Sequence, residues 1–172
     1  MKVLTVITSL ALAGLATASA ESAAKITEVH LCCKSCVTGV EKAIGEVPDA
    51  RAVVDQDAGT VTLSAPNAAA VQKAVDALLA AGYFGKCNDA SVKLDSRTGA
   101  KGQKVQSLKI EGVHLCCGKC VKAVDRAVKS VAGVKEQTAV RGAKTFEVTG
   151  DFNDEEIFTA LRKEGLAGKV AK

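Results

Sequence analysis

Two nearly identical stretches organise this chain: VHLCCKSCV at residues 29–37 and VHLCCGKCV at residues 113–121. Each stretch runs into a segment whose valines and isoleucines are spaced three, four and three residues apart. That spacing predicts an amphipathic helix with one apolar face, starting at or just after the last two cysteines of the motif. The chain therefore carries the same unit twice, and the cysteines lie at the same place in each copy.

Strand-like segments surround each predicted helix in the same order. A stretch of alternating apolar and polar residues precedes each motif, two more follow the helix, and a second amphipathic segment leads to a short last strand. Asn67 and either Asn153 or Asp154 are the expected N-caps of the second helices, with Gly82 and Gly165 as C-caps. The predicted segments are 24–31, 50–56, 59–65, 67–82 and 83–88 in the first copy, and 106–115, 134–140, 144–150, 153–165 and 166–171 in the second.

This order predicts an α+β fold of two tandem ferredoxin-like βαββαβ domains. In each domain an antiparallel sheet should be covered on one face by two helices. We expect the first domain at residues 24–94, a polar linker at 95–103 and the second domain at 104–172. Only 3% of residues are aromatic, so valine, alanine, leucine and isoleucine must fill the two small cores.

The first twenty residues have the pattern of a signal peptide. A lysine at position 2 precedes an apolar run, and Ala18-Ser19-Ala20 fits a small-residue cleavage site. The run is shorter than the roughly 20 residues of a membrane-spanning helix. We therefore expect an exported, periplasmic or secreted protein with no membrane span after cleavage.

Each motif contains a C-x-x-C pair at a predicted helix start: Cys33 and Cys36, and Cys117 and Cys120. Unpaired backbone N–H groups and the helix dipole stabilise thiolates there, and cysteine pKa values fall. Two soft thiolates from one turn suit Cu(I), or Hg(II) by the same argument, while Zn(II) usually takes four ligands. The pattern therefore predicts a site for a soft metal ion in each copy.

On these residues both units resemble the heavy-metal-associated domain family of soft-metal chaperones and metal-ATPase modules. The resemblance rests on the C-x-x-C after the first strand, the βαββαβ order, and Gly82-Tyr83 after the second helix. It implies that Cys33, Cys36, Cys117 and Cys120 carry the metal ion, which passes to a partner such as a metal-transport or metal-accepting protein by ligand exchange.

The chain departs from the family pattern just before each C-x-x-C. The family usually has Gly-Met-Thr there, whereas this chain has His-Leu-Cys, and Leu31 and Leu115 are expected to fill the core role of the methionine. Cys32 and Cys116 offer a third sulfur to each site, but neighbouring cysteines converge only if the strand has already ended in a loop. His30 and His114 are open to ligation, to thiolate buffering or to a bond with the loop backbone.

Two other residues are interpreted from the alignment of the copies. Cys87 matches Val170, which indicates a buried small apolar residue, and the alternative is a seventh thiol that pairs under oxidation. Tyr83 matches Leu166. The aromatic ring is therefore not essential to the repeat.

The predicted function is binding of a soft metal through two CCxxC sites, to capture it, buffer it or hand it on, with no catalysis. The alternative is an enzyme, a thiol–disulfide oxidoreductase that uses the C-x-x-C pairs. The prolines at positions 48 and 66 do not recur in the second copy, so no repeated proline could face both cysteine sites as such an enzyme would require. A disulfide-stapled interaction protein is a third reading. Nucleic acid is not an expected partner, because the net charge of +4 is dispersed and base-stacking aromatics are lacking.

Overall fold

The structure is a computed structural model that describes residues 21–95 and 97–172. The predicted signal peptide, residues 1–20, and residue 96 lie outside the described residues. Within the described ranges, two four-stranded antiparallel sheets each carry two helices, in the βαββαβ order that the sequence predicts. No helix in these ranges is long and apolar enough to cross a membrane.

The first domain has the sheet order β2-β3-β1-β4, and the second repeats it as β6-β7-β5-β8. The central pairs, β1 with β3 and β5 with β7, set the register by bringing Ile26 opposite Val61 and Ile110 opposite Phe146. All four of these side chains are buried beneath the helices. The elements are β1 Ser22–Thr27, α1 Lys34–Gly45, β2 Arg51–Asp55, β3 Thr60–Ala65, α2 Ala68–Ala80, β4 Lys86–Cys87, β5 Lys104–Glu111, α3 Gly118–Lys129, β6 Val134–Gln137, β7 Thr145–Asn153, α4 Asp154–Lys163 and β8 Lys169–Val170.

Several predicted boundaries shift for local reasons. The first strands end before the motifs, where Glu28 and Gly112 take positive φ angles of 59° and 77° and turn the backbone out of the sheet. Asn153, not Asp154, caps α4, because its side chain accepts a hydrogen bond from the Glu155 N–H. The C-cap residues are Ala81 in α2 and Glu164 in α4. The predicted C-cap glycines, Gly82 and Gly165, each lie one residue further along the chain.

The segment between the domains is tied to the second one. Asp154 is buried, and its carboxylate accepts hydrogen bonds of 2.9 Å from the backbone N–H groups of Lys101 and Gln103. The Val170 N–H also donates to the Thr98 carbonyl at 2.7 Å. These contacts fix the end of the predicted linker against α4 and β8.

The two domains meet through the loops that follow α2 and α4. Tyr83 and Leu166 form an antiparallel bridge, flanked by hydrogen bonds from the Phe84 N–H to the Gly165 carbonyl and from the Ala167 N–H to the Gly82 carbonyl, each 3.0 Å. Buried residues of both domains form one continuous hydrophobic cluster across this junction. Corresponding loops therefore face each other, and the two cysteine motifs are brought to the same interface.

Candidate metal centre

The loop between the first strand and the first helix lets adjacent cysteines converge. β1 ends at Thr27 and α1 begins at Lys34, so Cys32 and Cys33 lie in a turn rather than on an extended strand. The same applies to Cys116 before α3. Neighbouring cysteines were expected to converge only if the strand had already ended in a loop. In both copies it has, so a third sulfur can reach each site.

The second cysteine of each C-x-x-C belongs to the apolar stripe of its helix. Cys36 is followed at four-residue intervals by Val40 and Ile44, and all three side chains are buried. Cys120 holds the same place on α3. The helices begin between the two cysteines of each pair, so packing against the sheet fixes the buried sulfur while the first cysteine caps the helix. Leu31 and Leu115 are buried before the motifs, which confirms their predicted core role.

All six motif cysteines gather in one cluster at the domain interface. The sulfur of Cys32 lies 3.4 Å from that of Cys117 and 3.5 Å from that of Cys120, and the sulfur of Cys36 lies 3.5 Å from that of Cys116. Further close pairs within and between the motifs are 3.6 to 3.9 Å apart. The two predicted sites are therefore one site, with sulfur ligands from both domains.

The sulfurs approach one another in sets of three. The sets in which all three sulfurs lie within 4.8 Å of one another include Cys32, Cys33 and Cys117; Cys33, Cys36 and Cys116; and Cys116, Cys117 and Cys120. Among the described residues, the close sulfur pairs contain no set of four that are all paired with one another. Zn(II) prefers four tetrahedral ligands, so this arrangement fits a three-coordinate soft ion better than zinc.

Positive charge and backbone donors surround the cluster. Cys33 and Cys117 are the N-cap residues of α1 and α3, so the positive ends of both helix dipoles point at the sulfurs. The Lys119 ammonium lies 3.5 Å from the Cys32 carbonyl, and the Arg141 Nε donates to the Cys116 carbonyl at 3.0 Å. Nothing in the sequence signalled the place of Arg141 beside the motif.

The thiols differ in acidity because they differ in burial and in hydrogen bonding. For Cys117 burial favours the thiol, but the backbone N–H groups of Cys120 and Lys119 and the Cys32 thiol outweigh it and lower the pKa to about 6. Burial raises the pKa of Cys32 to about 12. At neutral pH the metal-free cluster therefore holds thiolates and thiols side by side.

Cys36 and Cys120 form the buried centre of this proton-sharing group, with their sulfurs 3.9 Å apart. The Cys120 thiol donates to Cys36 and lowers its pKa, helped by His114 and the other neighbouring thiols. The same interaction raises the pKa of Cys120. A positive metal ion at this point would replace the shared protons.

The two motif histidines have different surroundings. The His114 Nε2 lies 3.0 Å from the Tyr83 hydroxyl, which donates to the Cys36 carbonyl at 2.9 Å, and the two rings stack with centroids 4.5 Å apart. Tyr83 is fully buried and supports this side of the cluster. Gly39 makes room for it, since a Cβ there would lie 2.3 Å from the hydroxyl oxygen.

His30 lacks an equivalent partner. Leu166 occupies the position of Tyr83 in the second copy, and the buried Nε2 of His30 has no hydrogen-bond partner. One ring nitrogen of His30 lies within 4.8 Å of the Cys32 and Cys120 sulfurs. Burial lowers the pKa of His30, so the ring is neutral and able to accept a bond from a thiol or a metal.

Cys87 lies outside the cluster. It pairs with Ile26 at the edge of the first sheet, just as Val170 pairs with Ile110 in the second. It is half-buried and packs against the core, so it is an apolar packing residue but is less buried than predicted.

The fold and the cysteine motif agree with a comparison against protein families. Residues 107–167 match the heavy-metal-associated domain. The matched segment covers most of the second domain and includes its C-x-x-C, and the first domain repeats the motif and strand order. This match and the cysteine cluster together support the binding of a heavy-metal ion through the motif thiols.

A solved structure similar to this chain is the solution structure of the N-terminal soluble domains of Bacillus subtilis CopA. The sequences are 17% identical, the match covers 89% of this chain and 95% of that one, and the TM-score is 0.33. The comparison with curated proteins gave no significant match.

Proposed function

We propose that this protein is an exported soft-metal-binding protein that takes up Cu(I), buffers it and hands it to a metal-transport or metal-accepting protein. The observation that carries the proposal is the convergence of six thiols from two CCxxC motifs. The close pairs of sulfur atoms are 3.4 to 3.9 Å apart. Soft thiolates select Cu(I), and sets of three sulfurs favour it over zinc. Hg(II) is the other soft ion that this donor set fits.

Binding rather than catalysis accounts for the shape of the site. The sulfurs are half-buried or buried between two domains, and three cavities of the described residues are lined by other side chains. An ion can enter between the thiols by ligand exchange from a half-buried sulfur. Cys117, at the N-terminus of α3 and with a pKa of about 6, is the ligand best suited to make the first contact.

The test is competition for Cu(I) against a chromogenic chelator, with reduced protein under anaerobic conditions. Replacing Cys33, Cys36, Cys117 and Cys120 by serine should abolish the competition, whereas Cys87→Ser should leave it unchanged. Equal affinity of the quadruple variant and the parent would refute the proposal. The same titration with Zn(II) and Hg(II) should show weaker retention of zinc than of either soft ion.

A thiol–disulfide oxidoreductase is the competing function, because the low pKa of Cys117 is also what such an enzyme needs. Insulin reduction separates the two. We expect activity close to the uncatalysed rate, and a rate near that of a dedicated oxidoreductase would overturn the proposal of a binding protein.

Export is tested separately. We expect the N-terminus of the protein isolated from its native compartment to begin at or near Glu21. A retained N-terminal segment in a cytosolic fraction would contradict export without bearing on metal binding.

A further inference from the structure

The six sulfurs are arranged as the corners of an octahedron. Each sulfur lies close to every other sulfur except one, through pairs of 3.4 to 3.9 Å and three further pairs within 4.8 Å. Two sulfurs that are not close to each other lie at opposite corners, and in each such pair the two sulfurs belong to different domains. These opposite corners are Cys32 and Cys116, Cys33 and Cys120, and Cys36 and Cys117.

Four alternate faces of this octahedron use every sulfur twice. Three of the faces are the three-cysteine sets already described. The fourth is Cys32, Cys36 and Cys120, whose sulfurs are 3.5, 3.7 and 3.9 Å apart. An ion on each of these faces has three sulfur ligands, and each sulfur then bridges two ions.

We propose that the cluster takes up four Cu(I) ions as one tetranuclear thiolate core shared by both domains. The inference rests on the proposed function and specifies how many ions the site holds and how they are arranged. Cys32 and Cys116 are the residues that distinguish this core from two ordinary C-x-x-C sites, because they lie outside the C-x-x-C pairs and every one of the four faces contains one of them.

The size of the faces suits the ion. The centre of a face with edges of 3.6 Å, as between Cys33 and Cys116, is about 2.1 Å from each sulfur, close to the roughly 2.3 Å of a zinc–thiolate bond. Lengthening such an edge by about 0.4 Å reaches that bond length. Cys32, Cys33, Cys116 and Cys117 precede the helices, so these four residues can make a movement of this size while Cys36 and Cys120 stay in place on α1 and α3.

The charge of such a core also suits its surroundings. Six thiolates and four Cu(I) ions leave two negative charges, against the positive ends of α1 and α3 and the cations of Lys119 and Arg141. A single ion among six thiolates would leave a much larger negative charge in a partly buried site, which is costly. Filling the faces with monovalent ions is therefore the way in which all six thiols can ionise together.

The experiment is an anaerobic Cu(I) titration of the reduced protein, read by native mass spectrometry and by X-ray absorption at the copper edge. We expect saturation at four Cu(I) per single chain, three sulfur neighbours per copper and a copper–copper scattering path. The double variant Cys32→Ser with Cys116→Ser keeps both C-x-x-C pairs and should saturate at two Cu(I) without copper–copper scattering. Cys87→Ser is the matched control and should behave as the parent.

The outcomes separate this inference from the proposed function. Saturation of the parent at any number other than four, or the same saturation in parent and double variant, overturns the tetranuclear core but leaves soft-metal binding intact. Failure of the parent to retain Cu(I) against the chelator overturns both. Four ions found only per pair of chains would place the core between molecules and would also overturn the inference.

Discussion

Replacing Gly165 by alanine should separate the two domains without touching a cysteine. Gly165 has φ +73°, and a Cβ there would lie 2.5 Å from both the Glu28 carbonyl oxygen and the His30 nitrogen of the other domain. These are backbone atoms, so they cannot rotate away as the end of a side chain would. The nearest relief is a movement of one domain away from the other by roughly 1 Å, the distance needed to reach an ordinary contact.

The magnitude follows from what the movement breaks. The Gly165 carbonyl accepts hydrogen bonds from the His30 N–H at 3.3 Å and the Phe84 N–H at 3.0 Å, each worth about 1 kcal/mol. Alanine in the left-handed region costs a further 1–2 kcal/mol or so. Gly112 provides the matched control, since its φ is +77° and a Cβ there meets nothing within 4 Å. Gly112→Ala should therefore carry only the backbone cost.

The assay is urea unfolding of the reduced, metal-free protein together with small-angle X-ray scattering. We expect Gly165→Ala to have a free energy of unfolding about 2 kcal/mol below that of Gly112→Ala. Its radius of gyration should exceed the roughly 15 Å expected for a compact chain of this size. If the two variants were equally stable and equally compact, the domains would not meet as the structure shows.

Three more outcomes follow from the same contacts. Gly39→Ala should lower the free energy of unfolding by about 1–2 kcal/mol because its Cβ would press on the Tyr83 hydroxyl, whereas Gly45→Ala in open space on the same helix should raise it by up to about 1 kcal/mol. Gly39→Ala should cost less in a Tyr83→Phe background than in the parent, and an equal cost in both would contradict the packing. Iodoacetamide should modify Cys117 with a rate that rises as the pH passes about 6, measured by peptide mass spectrometry, and a midpoint above 8 would count against a stabilised thiolate. The metal-free protein should lose stability as the pH falls below 6.5, because His30 takes up a proton in the unfolded chain but not in its buried folded position. Denaturant titrations at pH 7 and pH 5 should show a smaller loss for His30→Leu than for the parent. An equal loss would show that other groups cause the pH dependence.

Local order and local chemistry could be predicted because they depend on neighbours in the chain. The three-four-three spacing of apolar residues predicted α1 and α3, and the asparagines at positions 67 and 153 predicted helix starts. The C-x-x-C pairs at helix starts predicted soft thiolates without knowledge of the other domain. The ends of the strands were predicted less accurately, since the turns at Glu28 and Gly112 depend on a positive φ angle. A glutamate in the sequence gives no indication of a positive φ.

The sequence by itself determined that this protein has two copies of a βαββαβ unit, each with three thiols at a helix start. Only the tertiary structure decided that the two sets of thiols form one cluster. That outcome depends on contacts between residues more than eighty positions apart, such as the bridge of Tyr83 with Leu166 and the close approach of Gly165 to His30. Repetition in a sequence shows that two sites are alike, but the packing of their loops decides whether they bind metal separately or together.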